Sequence, residues 1–256
     1  MYTELWKFIY GHLSEDESVV LITVTDVKGS SPGRVGFKMA VAEHGEMTGS
    51  IGGGGMEFNM VELARRHLKE HATEAFIKRQ IHIPDSGKDS SGMTCAGEQT
   101  QAFIPLTSKD LDAVSGIIEC IDKGKKGVLK VSQGEFSFSG TVPIEGKVTV
   151  FSNEESSWSY TEEIGLSETV YIFGAGHISV PLSQVLRMLD FRVVVFDDRR
   201  DLSTFRANNF AHRKEVIDFG DVSGLIPEGD ETYVAIMSFA HRSDRLILSQ
   251  LLHKKL

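Results

Sequence analysis

The segment Thr169–Asp198 constrains the fold more than any other part of the chain. Thr169-Val170-Tyr171-Ile172-Phe173 is a short apolar run suited to a central parallel strand. It runs directly into Gly174-Ala175-Gly176-His177-Ile178-Ser179. A tight turn needs the first glycine, and close approach of the backbone to a pyrophosphate needs the second, Gly176. Ile178, Leu182, Val185, Leu186 and Leu189 follow at helical spacing, in a helix whose N-terminus faces the phosphates. A second apolar strand, Arg192–Phe196, ends in Asp197-Asp198, about 20 residues beyond the turn, where a ribose hydroxyl is held. Together these pieces make a Rossmann-type βαβ unit. The third motif position is Ser179 rather than glycine, still small enough for helix–strand packing. Such a context fixes a fold more firmly than a ligand. Asp197 therefore reads either as a ribose acceptor or as a solvated strand end. His177 either faces the ligand or caps the helix.

At 256 residues the chain suits one large domain or two ordinary ones. It is 41% hydrophobic and 25% charged, ordinary values for a soluble globular protein. No apolar run approaches the ~20 residues that span a bilayer. The N-terminus lacks the basic and apolar regions of a secretory signal. Two cysteines, Cys95 and Cys120, are too few for a disulfide framework, so a reducing cytoplasm is the expected compartment. A net charge of −9 argues against nucleic acid and anionic membrane as partners. A small anion can still be bound locally, through backbone N–H groups.

The pattern predicts an α/β protein: an N-terminal mixed α/β domain over 1–151, a linker over the Ser- and Glu-rich stretch 152–168, and a Rossmann-like parallel-sheet domain over 169–256. In the first part, Leu5, Phe8 and Ile9 mark a helix, and Val19–Val24 a buried strand. Strands on either side of His44-Gly45 make a hairpin. Met56–His71 is an amphipathic helix. Further elements are a strand over Thr100–Leu106, a helix over Leu111–Ile121, and short strands near Gly127–Val131 and Lys147–Phe151.

Three small-residue segments here carry chemical interest. Gly29-Ser30-Ser31-Pro32 follows a strand. Gly49-Ser50-Ile51-Gly52-Gly53-Gly54-Gly55-Met56-Glu57 opens a helix. Successive glycines are costly to order, so they point to a backbone that something must approach closely. Their N–H groups at a helix N-terminus suit a phosphate or another anion. Glu57 either complements the helix dipole or acts as a proton-transfer or ligand-orienting carboxylate. In Cys95-Ala96-Gly97 the thiol is either reactive, with its pKa lowered by nearby N–H groups, or buried and inert. Cys120 reads as core. His67 and His71 lack a third ligand for zinc. His241 and Asp244 follow a strand at the carboxyl edge of the sheet. They read either as ligand contacts or as an ordinary helix start.

Taken in order, these segments resemble the XdhC and CoxI family of accessory factors for molybdenum hydroxylases such as xanthine dehydrogenase. The residues that carry the resemblance are Gly29-Ser30-Ser31-Pro32 with Gly36 and Met39; Gly49 to Gly54 with Glu57; Cys95-Ala96-Gly97; and Ile172 to His177 through Asp197-Asp198-Arg199. The resemblance implies a chaperone; a homodimer is expected separately, because a sheet without its last strands exposes an edge that favours dimerisation. The chaperone would bind the molybdenum cofactor, as molybdopterin or its dinucleotide form, support its sulfuration with a cysteine desulfurase, and deliver it to a xanthine dehydrogenase-like enzyme. The implied cofactor contacts are Ser30, Ser31, Gly52, Gly53, Gly54, Glu57, Cys95, Gly97, Gly174, Gly176, His177 and Asp197, with Cys95 near the metal. Gly55 stands where many relatives have cysteine, and Cys-Ala-Gly where many have Cys-Gly-Gly. Relatives also continue beyond the last strand and helix, which implies a Rossmann sheet that is incomplete at its C-terminal end or completed by another chain. Two other readings remain open. One is an NAD(P)-dependent oxidoreductase using the Gly174 turn with His177 or His241. The other is a nucleotide-sensing regulatory module. No catalytic residue set is evident.

Overall fold

The structure is a computed structural model that describes residues 2–82, 96–141, 149–154, 157–165 and 168–256. The chain divides into two units, Tyr2–Gly165 and Leu166–Leu256.

In the N-terminal unit β1 (Val19–Lys28) is buried along most of its length because helices cover both faces of its sheet. The sheet is antiparallel, in the order β3-β2-β1-β5-β4. Its other strands are β2 (Lys38–Ala42), β3 (Met47–Gly49), β4 (Phe76–Ile81) and β5 (Glu98–Leu106). Alternate residues of β1 point to opposite faces. Val20, Ile22 and Val24 pack with Met56, Met60, Val61, Ala64 and Leu68 of α2 (Gly54–Lys69). Helix α1 (Tyr2–Ser14) lies against β1, β2 and β3 and also meets α3 (Leu111–Asp122).

A second antiparallel sheet, ordered β7-β6-β9-β8, completes this unit. It contains β6 (Gly127–Ser132), β7 (Phe136–Ser139), β8 (Val150–Glu154) and β9 (Ser157–Ile164). The linker expected over 152–168 is thereby corrected. Residues 157–164 are a strand paired on both sides, with Trp158, Tyr160, Glu162 and Ile164 turned inward. Glu162 is buried because Lys38 of β2 meets it at 2.5 Å and the Tyr160 hydroxyl donates to it at 2.9 Å. Burial, then the Glu162 charge beside it, push the Tyr160 hydroxyl well above its usual pKa. The strand expected near Lys147–Phe151 begins, among the described residues, at Val150.

The C-terminal unit is a four-stranded parallel sheet, in the order β12-β11-β10-β13. Its strands are β10 (Thr169–Phe173), β11 (Arg192–Asp197), β12 (Arg213–Val216) and β13 (Thr232–Ile236). Val170, Ile172, Val193 and Val195 pack with Leu182 and Leu186 of α4 (Ser179–Met188) and Phe205 of α5 (Ser203–Ala207). Tyr171, Phe173, Val194 and Phe196 pack on the other face with Ile247 and Leu251 of α6 (His241–Leu251). The chain leaves β10 toward β11 on one side and returns to β13 on the other. The carboxyl ends of β10 and β13 therefore flank a topological switch point, where open α/β sheets bind ligands. Among the described residues no helix is long and apolar enough to cross a membrane.

Candidate functional site

In the C-terminal unit the switch point opens into a crevice of about 310 Å³. Gly176, His177 and Ile178 line it from the turn after β10, Arg199 from the end of β11, Thr204 from α5, and Met237 to Phe239 from the end of β13. The turn is drawn tight against its neighbours. Gly174 N–H donates to Phe196 O at 2.8 Å, and Met237 N–H donates to Phe173 O at 2.8 Å. Gly176 leaves open space where a side chain would stand. Ser179, at the third motif position, is buried, and its hydroxyl donates to Gly176 O at 2.8 Å. Its small side chain thus secures the turn as well as the helix packing.

Asp197 ends β11 as the motif predicts, but it does not face the crevice as an open acceptor. It is completely buried. Its Oδ2 accepts from Ala175 N–H at 2.7 Å and Arg199 Nη2 at 2.9 Å; its Oδ1 accepts from Arg199 N–H at 3.0 Å and Nε at 2.8 Å. Burial works to raise its pKa, but these bonds and the Arg199 charge outweigh it and hold the carboxyl below its usual range. The same pairing raises the pKa of Arg199. Asp198 goes the other way, pushed up by burial and by the charge of Asp197. Of the two expected roles for Asp197, ribose acceptor and solvated strand end, the structure supports neither: it ties the glycine turn to the β11 end. Asp244 is also structural, accepting from Ser238 N–H at 2.9 Å and its hydroxyl at 2.5 Å. His177 is on the crevice wall; His241, at the exposed start of α6, is not.

In the N-terminal unit the glycine and serine segments come together at one end of the five-stranded sheet. Their meeting point is Gln99, which is fully buried on β5. Its Oε1 accepts from the Ser31 hydroxyl at 2.6 Å and Gly33 N–H at 3.1 Å, and its Nε2 donates to Ile51 O at 2.9 Å. Gly97 lies so close to Ser30 that a Cβ there would stand 2.0 Å from the Ser30 carbonyl oxygen. Cys95 lies outside the described residues. Sequence reasoning missed Gln99. The available signal was a strand, Glu98-Gln99-Thr100-Gln101, too polar for a sheet with helices on both faces. Gln101 and Gln80 continue the buried amide row, joined at 3.0 Å.

The glycine loop is held from inside. Gly52, Gly53 and Gly54 all have positive φ, at 129°, 77° and 72°. The turn they make brings two N–H groups, those of Ile51 and Gly53, toward one point. The point is occupied by Glu57: its Oε2 accepts from Ile51 N–H at 2.8 Å, Gly53 N–H at 3.0 Å and the Ser50 hydroxyl at 2.7 Å. Gly52 N–H donates to the Ser50 hydroxyl at 3.2 Å. The expectation that Gly52 and Gly53 offer N–H groups to an external anion is corrected accordingly, because both are spent within the loop, Gly53 on the Glu57 carboxylate and Gly52 on the Ser50 hydroxyl. Helix α2 has no side-chain cap at Gly53, and Gly53 and Gly55 leave open space around them. Among the described residues no three His, Cys, Asp or Glu side chains cluster to hold a metal.

Fold and crevice define a two-unit α/β protein with a dinucleotide-type C-terminal unit. The XdhC and CoxI family model matches residues 12–79, and the XdhC Rossmann domain model matches residues 170–256. Between them the two models span more than half of the chain, and the protein belongs to the XdhC and CoxI family. A crystal structure of a Bacillus halodurans protein described as a xanthine dehydrogenase has the same fold. Its TM-score is 0.73 at 22% identity, over 99% of this chain and 79% of that one. No curated protein matches the sequence.

Proposed function

We propose that this protein is a maturation factor for molybdenum hydroxylases. It takes up the molybdenum cofactor as cargo and hands it to a xanthine dehydrogenase-like enzyme, with a cysteine desulfurase acting on the bound cargo. The observation that carries this reading is the meeting of the Ser31, Ile51–Gly54 and Gly97 segments around buried Gln99, in a chain of this family. Three separate loops packed this closely form one wall, and a wall with exposed glycine backbone admits a flat, anionic ligand.

The residues fit such a cargo in part. The α2 N-terminus is uncapped by a side chain, so the leading N–H groups at Gly54 and Gly55 suit its anionic end. Glu57 keeps the loop shaped for this and makes no direct contact. Cys95, two residues before Gly97 in the sequence, is the thiol that would bind the cargo near its metal.

The test is anaerobic titration of the apoprotein with molybdenum cofactor. Saturable, stoichiometric binding is expected, weakened in Cys95→Ser. Gln99→Leu leaves Gly33 N–H and Ile51 C=O without their partner and loosens the loops. It is expected to weaken binding by about tenfold while costing roughly 2 kcal/mol of stability. Absence of binding by the folded wild-type protein would refute the proposal.

The crevice at Gly176 and Arg199 supports a second, separate reading, that the C-terminal unit binds a nucleotide.

A further inference from the structure

The second strand of a dinucleotide fold ordinarily ends in a carboxylate that accepts from the ribose diol. Asp197 stands there, but a carboxylate has about four acceptor positions. All are used: two on Oδ1 by Arg199 N–H and Nε, two on Oδ2 by Ala175 N–H and Arg199 Nη2. With the side chain fully buried, nothing is left for a ribose hydroxyl.

At this corner the crevice presents Arg199 instead. Its side chain is 36% exposed and lines the cavity. Two of its five N–H donors are engaged by Asp197. Its guanidinium carbon also lies 4.7 Å from the centre of the Phe239 ring. Held at one edge by a carboxylate and over one face by an aromatic ring, the guanidinium is fixed before any ligand arrives. Little side-chain entropy remains to be lost on binding. An acceptor corner has become a donor corner. A guanidinium suits a phosphate far better than a hydroxyl pair.

We propose that the crevice takes a nucleotide whose ribose carries a phosphate monoester, read by Arg199, in preference to the same nucleotide with a free diol. One group opposes this. Asp198 Oδ1 is 3.7 Å from Arg199 Nε, and its negative charge faces the same corner. Asp198 is partly exposed, and Arg199 keeps three N–H donors beyond the two engaged by Asp197, so Asp198 restrains affinity without reversing the preference. The inference rests on the nucleotide reading of the crevice and is independent of the cargo reading of the N-terminal unit.

Two ligand pairs differ only by a ribose phosphate: NADP+ against NAD+, and coenzyme A against dephospho-coenzyme A. Calorimetric titration of the full chain with all four distinguishes a dinucleotide source of the phosphate from a mononucleotide-type one. In whichever pair binds, the phosphorylated member is expected to bind about tenfold tighter or more. Arg199→Gln should bring that ratio to near one. If that variant fails to fold, Asp198→Asn provides the second arm: it should tighten the phosphorylated member severalfold and leave the other unchanged. Equal binding within the pairs, or an unchanged ratio in folded Arg199→Gln, would overturn the phosphate preference alone. Failure of all four to bind below about 1 mM would overturn the nucleotide reading with it.

Discussion

Replacing Lys38 by methionine lowers the unfolding free energy of the N-terminal unit by about 3–5 kcal/mol. The Lys38 and Glu162 side chains are only 2% and 6% exposed. Their ion contact is supported by the Tyr160 hydroxyl on Glu162 and by the bond from Lys38 Nζ to Gly36 O at 2.9 Å. Methionine fills nearly the same volume, so the loss is electrostatic rather than a cavity. It strands a carboxylate in a dry site and leaves Gly36 O without that donor. Adding Glu162→Leu to Lys38→Met should restore most of the stability, because a buried pair replaced as a whole by apolar groups is often neutral. Trp6 and Trp158 are the only tryptophans and both lie in this unit, so urea unfolding followed by tryptophan fluorescence reads it selectively. A loss below about 1 kcal/mol in the single variant would show that the pair does not join the two sheets as described.

Gly174→Ala is expected to cost about 4 kcal/mol, and the loss falls on the C-terminal unit. The residue has φ +113°, outside the ordinary range of a side-chain-bearing residue. An added Cβ would stand 2.3 Å from Met237 O and 2.6 Å from Met237 C. Those are backbone atoms of the chain leaving β13, held in place by the bond from Met237 N–H to Phe173 O. Relief requires the end of β13 to move away from β10, which also deforms the crevice. Hydrogen exchange should therefore accelerate in peptides covering β10 and the β13–α6 connection. Protection equal to the wild type there would contradict the close approach.

The C-terminal unit was legible because its signals are local. An apolar strand, two glycines, a helical period and a second apolar strand each follow from a few neighbouring residues, and the parallel sheet follows from their sum. What the sequence could not convey was how its polar groups are spent. Asp197 lies where a ribose acceptor belongs, yet Arg199, two residues further on, consumes it; a motif gives position and not satisfaction. Glu57 shows the same limit. Its place in the first turn of α2 fits a dipole role, whereas groups four to seven residues earlier in the loop curl back to use it.

The strand within 152–168 is hidden from the sequence for a different reason. Trp158, Tyr160 and Ile164 have the period of a half-buried strand, but Glu162 interrupts them with a charge, and the partner that makes its burial tolerable is 124 positions earlier in the chain. The Gly-Ser and Gly-rich segments were individually recognisable. Their convergence depends on Gln99, which offers no motif and matters only through the three loops it joins.

The proposed role requires the natively folded protein to carry molybdenum cofactor. The most direct measurement is the fluorescence of oxidised pterin released by denaturing protein purified anaerobically from cells that make the cofactor. The expected result is a pterin signal that rises in proportion to protein and falls in Gln99→Leu and Cys95→Ser purified in the same way. Protein that releases no pterin, and takes none up when the cofactor is supplied, would contradict it.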